Sequence, residues 1–402
     1  MKKILIFIFI IINFQIVISE VKLGIDVLID NSFTQLKGKR VALLTNFAGR
    51  TKNGTLSIDA FLNQNNCELK LILTPEHGLY TTVPAGIKVE DSDYKGIPIH
   101  SLYGSSRNPD VKKFVNIDAI VVDLQDVGVR SYTYLSTMFN TMITAAKLNK
   151  KIVILDRPNP IGGNIIDGSV ADQNLLSFVS IIPISYIHGC TLAELALMIN
   201  EENWLPDNLK ADLTVIKMKG WKRDMSWENT GLYWFPTSPN VPTIQAVRGL
   251  ATLGIIGELG IISIGIGTTS PFQYIGIMHK NEIDLLNNVS LNGIDLHQTK
   301  YRPFFAMYSG KDVNGFFLQF KETDFEPFSN SIKILYSLRK SFPDLFSSES
   351  IKENSKSMFE KVTASKALLK AILDGRNEEY IYKLGNQGLD KFIELRKKYL
   401  LY

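Results

Sequence analysis

The sequence predicts an α/β fold, a doubly wound and mainly parallel sheet followed by a smaller α+β part. Three observations point there. Short apolar runs alternate with helical stretches, successive runs empty into polar residues, and past residue 248 the chain turns glycine-rich and apolar. Apolar runs too short for helices, bounded by turn residues and separated by helices, read as parallel strands covered on both faces.

The first strand is 41–44 in KGKRVALLTNFAG, with Thr45, Asn46 and Gly49 in its exit loop. A helix over 56–62 leads to the second strand, 69–73 in LKLILTPEHG, which opens into Pro75, Glu76, His77 and Gly78. An excursion containing Gly and Asp (79–109) and a helical turn at 111–114 precede the third strand, 118–124. It belongs to IVVDLQDVGVRSYTY, where apolar residues pass straight into Asp123, Gln125, Asp126, Arg130, Tyr132 and Tyr134. Ser136 reads as the N-cap of a helix to 148. A fourth strand, 152–155 in KKIVILDRPNP, ends in Asp156, Arg157 and Asn159. Ligands of such sheets bind outside the carboxyl ends of the strands, so polar exits in succession predict a cleft there.

In YIHGCTLAEL, His188 and Gly189 form a loop, and Thr191 with Glu194 makes a capping box that opens a helix. LTVIKMKGW adds a strand, and WFPTSPNVPT is a proline-flanked loop presenting Ser238 and Asn240. Beyond 248, GIIGELGIISIGIGTTSPF, the segment GFFLQF and helices from Ser329 and Glu379 onward read as α+β. Leu389, Phe392, Ile393, Arg396, Tyr399 and Leu400 set an amphipathic last helix. The expected domains are 20–248 and 249–402, after a leader at 1–19.

That leader, MKKILIFIFIIINFQIVIS, has Lys2 and Lys3, an apolar run, and Val17 and Ser19 at cleavage-site positions. It reads as a secretory signal peptide; a retained membrane anchor is the alternative, for which the run is short. The expectation is a periplasmic or secreted protein with no membrane contact after cleavage. The formal net charge is +4, two units of which are Lys2 and Lys3, and no basic stripe suits a nucleic-acid partner. A hydrophobic content of 45% with 21% charged residues places the chain among ordinary globular proteins. Cys67 and Cys190 are the one disulfide an oxidising compartment allows. No residue pattern sets an oligomeric state.

Glu76 is either a general acid, as suits a carboxyl shielded in a strand-exit loop, or a loop carboxylate bonded to backbone. Asp123 and Asp126 are each either a second catalytic carboxylate or structural, Asp126 capping a turn and Asp123 holding Arg130 or Arg157. Glu76, His77 and His188 lack the spacing of a metal site, so none is predicted. Gly265-Ile266-Gly267 matches neither a dinucleotide fingerprint nor a P-loop, and no cofactor is expected. Tyr103-Gly104-Ser105 lacks the nucleophile-elbow pattern, which argues against a serine hydrolase. Tyr132, Tyr134, Trp221, Trp227 and Trp234 are sugar-stacking faces or core aromatics.

TPEHG, DLQDVGVRSYTY, LDRPNPIGG, HGCTLAEL, WFPTSPNVPT and the terminal KKYLLY together resemble, in colinear order from 22 to 402, the bacterial exo-β-N-acetylmuramidases. The resemblance implies a Rossmann-like catalytic domain, a smaller C-terminal domain and a cleft between them. It implies release of terminal N-acetylmuramic acid from the non-reducing end of peptidoglycan-derived muramyl glycan. The family's catalytic glutamate falls on Glu76; for a glycosidase on this pattern, Asp123 or Asp126 is the residue expected to activate water or stabilise the transition state. Asn46, His77, Gln125, Arg130, Tyr132, Asp156, Arg157, Asn159, His188, Ser238, Asn240 and Glu258 are the residues expected to hold substrate.

The chain departs from the family pattern in places. Tyr80-Thr81 stand where Arg-Gly is usual, Ile187 where Arg precedes HG, Ile261 where Asn is usual and Ile266 where Arg is usual. Arginine binds carboxylates bidentately, and muramic acid carries a lactyl carboxylate. The losses predict weaker recognition of that anion and leave Arg130 and Arg157 to make it. They also motivate a second expectation, a non-catalytic member that binds cell-wall glycan or a protein partner.

Overall fold

The computed structural model describes residues 20–104, 106–278, 286, 289–347 and 349–402. The leader at 1–19 and Ser105 lie outside the described residues. The first part runs α1 (Gly24–Asp30), β1 (Arg40–Thr45), α2 (Ser57–Leu62), β2 (Glu68–Thr74), β3 (Ser92–Tyr94), β4 (Ile97–Ser101) and β5 (Ala119–Asp123). It continues with α3 (Thr133–Lys147), β6 (Lys151–Leu155), β7 (Asp167–Val170), β8 (Ser185–Ile187), α4 (Leu192–Glu201) and β9 (Asp212–Ile216).

Among the described residues, seven strands form one sheet in the order β3-β4-β2-β1-β5-β6-β9. Neighbours are parallel except β3 on β4. Counting only the parallel strands, the order is the 3-2-1-4-5-6 of dinucleotide-binding folds, so the sheet is Rossmann-like. The edge hairpin β3–β4 lies in the 79–109 excursion, where the sequence showed no apolar run.

Strand side chains alternate between two helical layers, as the period of two requires. Val41, Leu43, Val121, Val153 and Leu155 pack with Ile25 and Leu28 of α1 and with Ile58 and Phe61 of α2. Ala42, Leu44, Ile120, Val122, Ile152 and Ile154 face Leu135, Met138 and Met142 of α3 and Leu195, Met198 and Ile199 of α4. Thr191 and Glu194 form the expected capping box on α4. Ser136 is not an N-cap: α3 starts three residues earlier, after Tyr132, and the Ser136 hydroxyl donates to the Phe178 carbonyl. Cys67 and Cys190 are both free and buried. Cys67 precedes β2 at the amino end of the sheet, while the Cys190 carbonyl accepts from Asn159 beyond the carboxyl end of β6, so the fold keeps them apart.

The second part holds α5 (Ile244–Glu258), β10 (Tyr274–Ile277), β11 (Ile294–Tyr301), β12 (Val313–Phe320), α6 (Pro327–Ser341), α7 (Glu353–Thr363), α8 (Lys366–Leu373), α9 (Glu378–Gly385) and α10 (Leu389–Arg396). Its strands form an antiparallel sheet, β10-β12-β11. The boundary expected at 248 falls inside α5, so a continuous helix joins the parts. The end of the chain then returns to the first part. Phe392 joins the α3–α4 core, the Arg396 guanidinium donates to the carbonyls of Gly163 and Gly189, and the Tyr402 hydroxyl donates to Asp156 at 2.7 Å.

Candidate active site

Glu76 and His77 follow β2. His77 has φ +73° and Gly78 φ +72°, so the chain turns back on itself through two left-handed residues. Gly78 takes that conformation freely; His77 is held in it by its Nδ1, which donates to the Val83 carbonyl at 2.7 Å. The turn leaves Glu76 buried. Its Oε1 accepts from the Gly86 backbone N–H at 2.8 Å and its Oε2 from the Thr133 hydroxyl at 2.7 Å. Thr133 is the first residue of α3, so the carboxyl lies at the positive end of a helix. Tyr103 adjoins it, and burial, reinforced by Glu76, pushes that phenol up to about 12.

These groups open into a cleft of about 470 Å³, within the range of small-molecule sites. One side is Glu76, His77, Gly86, Tyr103, Tyr132 and Thr133; the other is Leu250, Gly254, Gly257, Glu258, Ile264, Ile266 and Phe272; Ser238 and Asn240 contribute from the proline-flanked loop. The Tyr132 hydroxyl donates to Thr237 Oγ1 at 2.8 Å. Tyr134 donates to the Thr237 carbonyl and accepts from Asn46 Nδ2. Asn46 therefore does not line the cleft but anchors the loop that does. Glu258 ends α5 with no hydrogen bond or ion pair among the described residues, and burial pushes its carboxyl up to about 6.

The remaining sequence-derived candidates lie elsewhere, each for a stated reason. Asp123 is sealed: Arg157 Nε donates to it at 2.6 Å and Nη2 at 2.9 Å, and the Ser57 hydroxyl adds a third bond. Arg157 is committed to that carboxylate and to the Arg50 carbonyl. Gln125 donates to the carbonyls of Asp126 and Pro158. Gln125 and Arg157 line a separate hollow of about 20 Å³, room for a water rather than a sugar.

Arg130 is wholly buried, and its guanidinium donates to the carbonyls of Ser169, Ile184, Val362 and Thr363. It ties the first part to α7 and is not a ligand for substrate. Asp156 caps α4 through Thr191 and the Ala193 N–H. Asn159 holds the Cys190 carbonyl and the Ile161 N–H. Asp126 Oδ2 accepts from the Gly128 N–H at 2.9 Å and lies 3.6 Å from His188 Nε2. His188 Nδ1 accepts from the Cys190 N–H. Neither Asp126 nor His188 lines the cleft.

Residues 41–245 match the family described as "Exo-beta-N-acetylmuramidase NamZ, N-terminal", and 251–402 its C-terminal counterpart. The chain belongs to the NamZ exo-β-N-acetylmuramidase family. The peptidoglycan beta-N-acetylmuramidase NamZ of Bacillus subtilis (strain 168) is 36% identical over 388 residues, covering 95% of this chain and 92% of that protein. A crystal structure of a DUF1343 family protein from Bacteroides fragilis superposes with a TM-score of 0.88 at 35% identity, covering 95% of this chain and 99% of that one. A second from the same organism gives 0.72 at 28% identity, with 96% and 99% covered.

Set against the NamZ pattern, the departures fall in different places. Ile187 and Ile261 are buried in the apolar core, and Tyr80 is 57% exposed. Only Ile266 lines the cleft. Thr133, Gly86 and Tyr103 were missed in the sequence, though Thr133 stands inside the RSYTY stretch. The wall from α5 and 264–272 carries little polar chemistry, and the sequence marked in it only Glu258, as a substrate residue, and Ile266, as a departure from the family pattern.

Proposed function

We propose that this protein is an exo-acting glycoside hydrolase releasing terminal N-acetylmuramic acid from the non-reducing end of peptidoglycan fragments. The observation that carries the reading is Glu76, held by a backbone N–H and a hydroxyl inside a sugar-sized cleft in a NamZ-family chain. As general acid, Glu76 gives its proton to the glycosidic oxygen while the bond to the anomeric carbon breaks through an oxocarbenium-like state. His77, Tyr132, Ser238 and Asn240 offer polar contacts to hydroxyl and acetamido groups, and Ile264, Ile266 and Phe272 offer apolar ones to methyl groups.

Among the described lining residues there is no Lys or Arg. Arg107 stands at the margin, its guanidinium 5.1 Å from the centre of the Tyr103 ring and 4.3 Å from that of Phe178. It has no carboxylate partner among the described residues, and it takes over the lactyl carboxylate from Arg130 and Arg157, which are both committed. Residues 1–19 direct export, which cell fractionation checks: the protein is expected in the periplasmic or extracellular fraction.

Incubation with muramyl-terminated peptidoglycan fragments, followed by mass analysis, tests the activity. Free N-acetylmuramic acid and a fragment ending in N-acetylglucosamine are expected. Recovery of bound but intact fragments contradicts hydrolysis, and cleavage within the chain contradicts exo action.

A further inference from the structure

We infer that Glu258 is the second catalytic carboxylate of this cleft, the base that takes a proton from the attacking water. The inference rests on the hydrolase reading above. Glycoside hydrolysis commonly needs two carboxyl groups flanking the scissile bond, and the described carboxyls that line the cleft are those of Glu76 and Glu258. The two acids that follow β5 in sequence do not serve. Asp123 is bound by Arg157 and Ser57, and Asp126 is turned to Gly128 and lies outside the lining.

The placement of Glu258 is costly in three ways. It is the last residue of α5, at the helix end where the dipole disfavours a negative charge. The wall it belongs to is otherwise apolar, with Leu250, Ile264, Ile266 and Phe272 in the lining. No hydrogen-bond donor or cation among the described residues compensates it. Glu258 is half-buried, whereas two fully buried acids of this fold are compensated: Glu194 by Arg223 and the Thr191 N–H, Asp167 by Ser329. A carboxyl with both oxygens uncommitted, facing a substrate-sized space, is explained by what binds there.

Its raised proton affinity, about 6, brings it near neutrality, where a carboxyl exchanges a proton with water readily. Glu76 follows β2 and Glu258 ends α5, so substrate entering between them meets one carboxyl from each part of the chain. In the step, the water oxygen bonds to the anomeric carbon as the glycosidic bond breaks. The bond pair leaves on the aglycone oxygen, which takes the proton of Glu76. The water proton goes to Glu258, and exchange with solvent restores both groups. Direct displacement of this kind inverts the anomeric configuration, the outcome expected of carboxyls about 6.5–9.5 Å apart.

The test is Glu258→Gln on the full protein, with wild type and Glu76→Gln beside it. Turnover of a muramyl disaccharide is expected to fall about 100-fold or more. It should fall as far on a nitrophenyl muramide, whose leaving group needs little help from an acid. Azide, a nucleophile that needs no base, should restore release in Glu258→Ala as the inverted glycosyl azide. The melting temperature of Glu258→Gln should equal or exceed that of wild type, because an uncompensated charge is removed. Turnover within about threefold of wild type, or lost in step with a lowered melting temperature, would overturn the assignment and leave the hydrolase reading standing. Absence of release by wild type would overturn both.

Discussion

Thr133 donates its hydroxyl hydrogen to Glu76 Oε2 at 2.7 Å, joining the first turn of α3 to the exit loop of β2. Two elements that are neighbours only through the sheet order β2-β1-β5 thereby fix one carboxyl. Thr133→Val keeps the shape and removes the hydroxyl. The bond orients the carboxyl, and a neutral hydrogen bond is worth about 0.5–1.5 kcal/mol, so kcat should drop about two- to tenfold with KM little changed, and Thr133→Ser should restore most of it. Steady-state kinetics on the disaccharide decides.

Stability should fall as pH rises toward neutrality. Burial lifts Glu258 to about 6 and Asp156 to about 7, both above their unfolded values. A carboxyl raised on folding contributes fully below its unfolded value and loses that contribution as pH climbs through the folded one. For Glu258 the loss is about 2 kcal/mol between pH 4 and 7. Denaturant midpoints at pH 5 and pH 8 should differ, with the higher stability at pH 5. Glu258→Gln should flatten part of that difference.

Arg107 should govern the choice of sugar. Arg107→Ala is expected to raise KM about tenfold or more for N-acetylmuramic acid glycosides, the loss of one charge-assisted contact, and to leave N-acetylglucosamine glycosides unaffected. Arg107→Lys should recover only part, because a planar fork recognises a carboxylate better than a point charge does. Equal effects on both sugars would remove Arg107 from lactyl recognition.

Arg157 should matter for folding, not for binding. Arg157→Met leaves Asp123 buried and uncompensated, which costs about 3–5 kcal/mol. Chemical denaturation reads this directly. Unchanged stability with a raised KM would return Arg157 to the substrate.

The sheet was legible because its central strands are apolar runs ending in polar residues; Glu76 and His77 were legible at such an end, and Ser238 and Asn240 as polar residues of a proline-flanked loop. Arg130 was misread for a physical reason. An arginine after a strand looks like an anion ligand, but carbonyls at Val362 and Thr363, more than two hundred residues away, close over it. Asp123 and Asp156 were equally ambiguous, since a carboxylate at a strand end serves a cap or an ion pair as well as a substrate. Gly86 reaches the site through its backbone N–H, which carries no side-chain signal. The far wall is an apolar helix face and loop, indistinguishable in sequence from core. Glu258 marked it only through the motif this chain shares with the exo-β-N-acetylmuramidases.

The most direct measurement compares Glu76→Gln with wild type on two substrates, a muramyl disaccharide and a nitrophenyl muramide. A general acid matters most when the leaving oxygen is a poor one. The variant should lose about 1,000-fold on the disaccharide and far less on the nitrophenyl glycoside. Disaccharide turnover equal to wild type would contradict the role of Glu76.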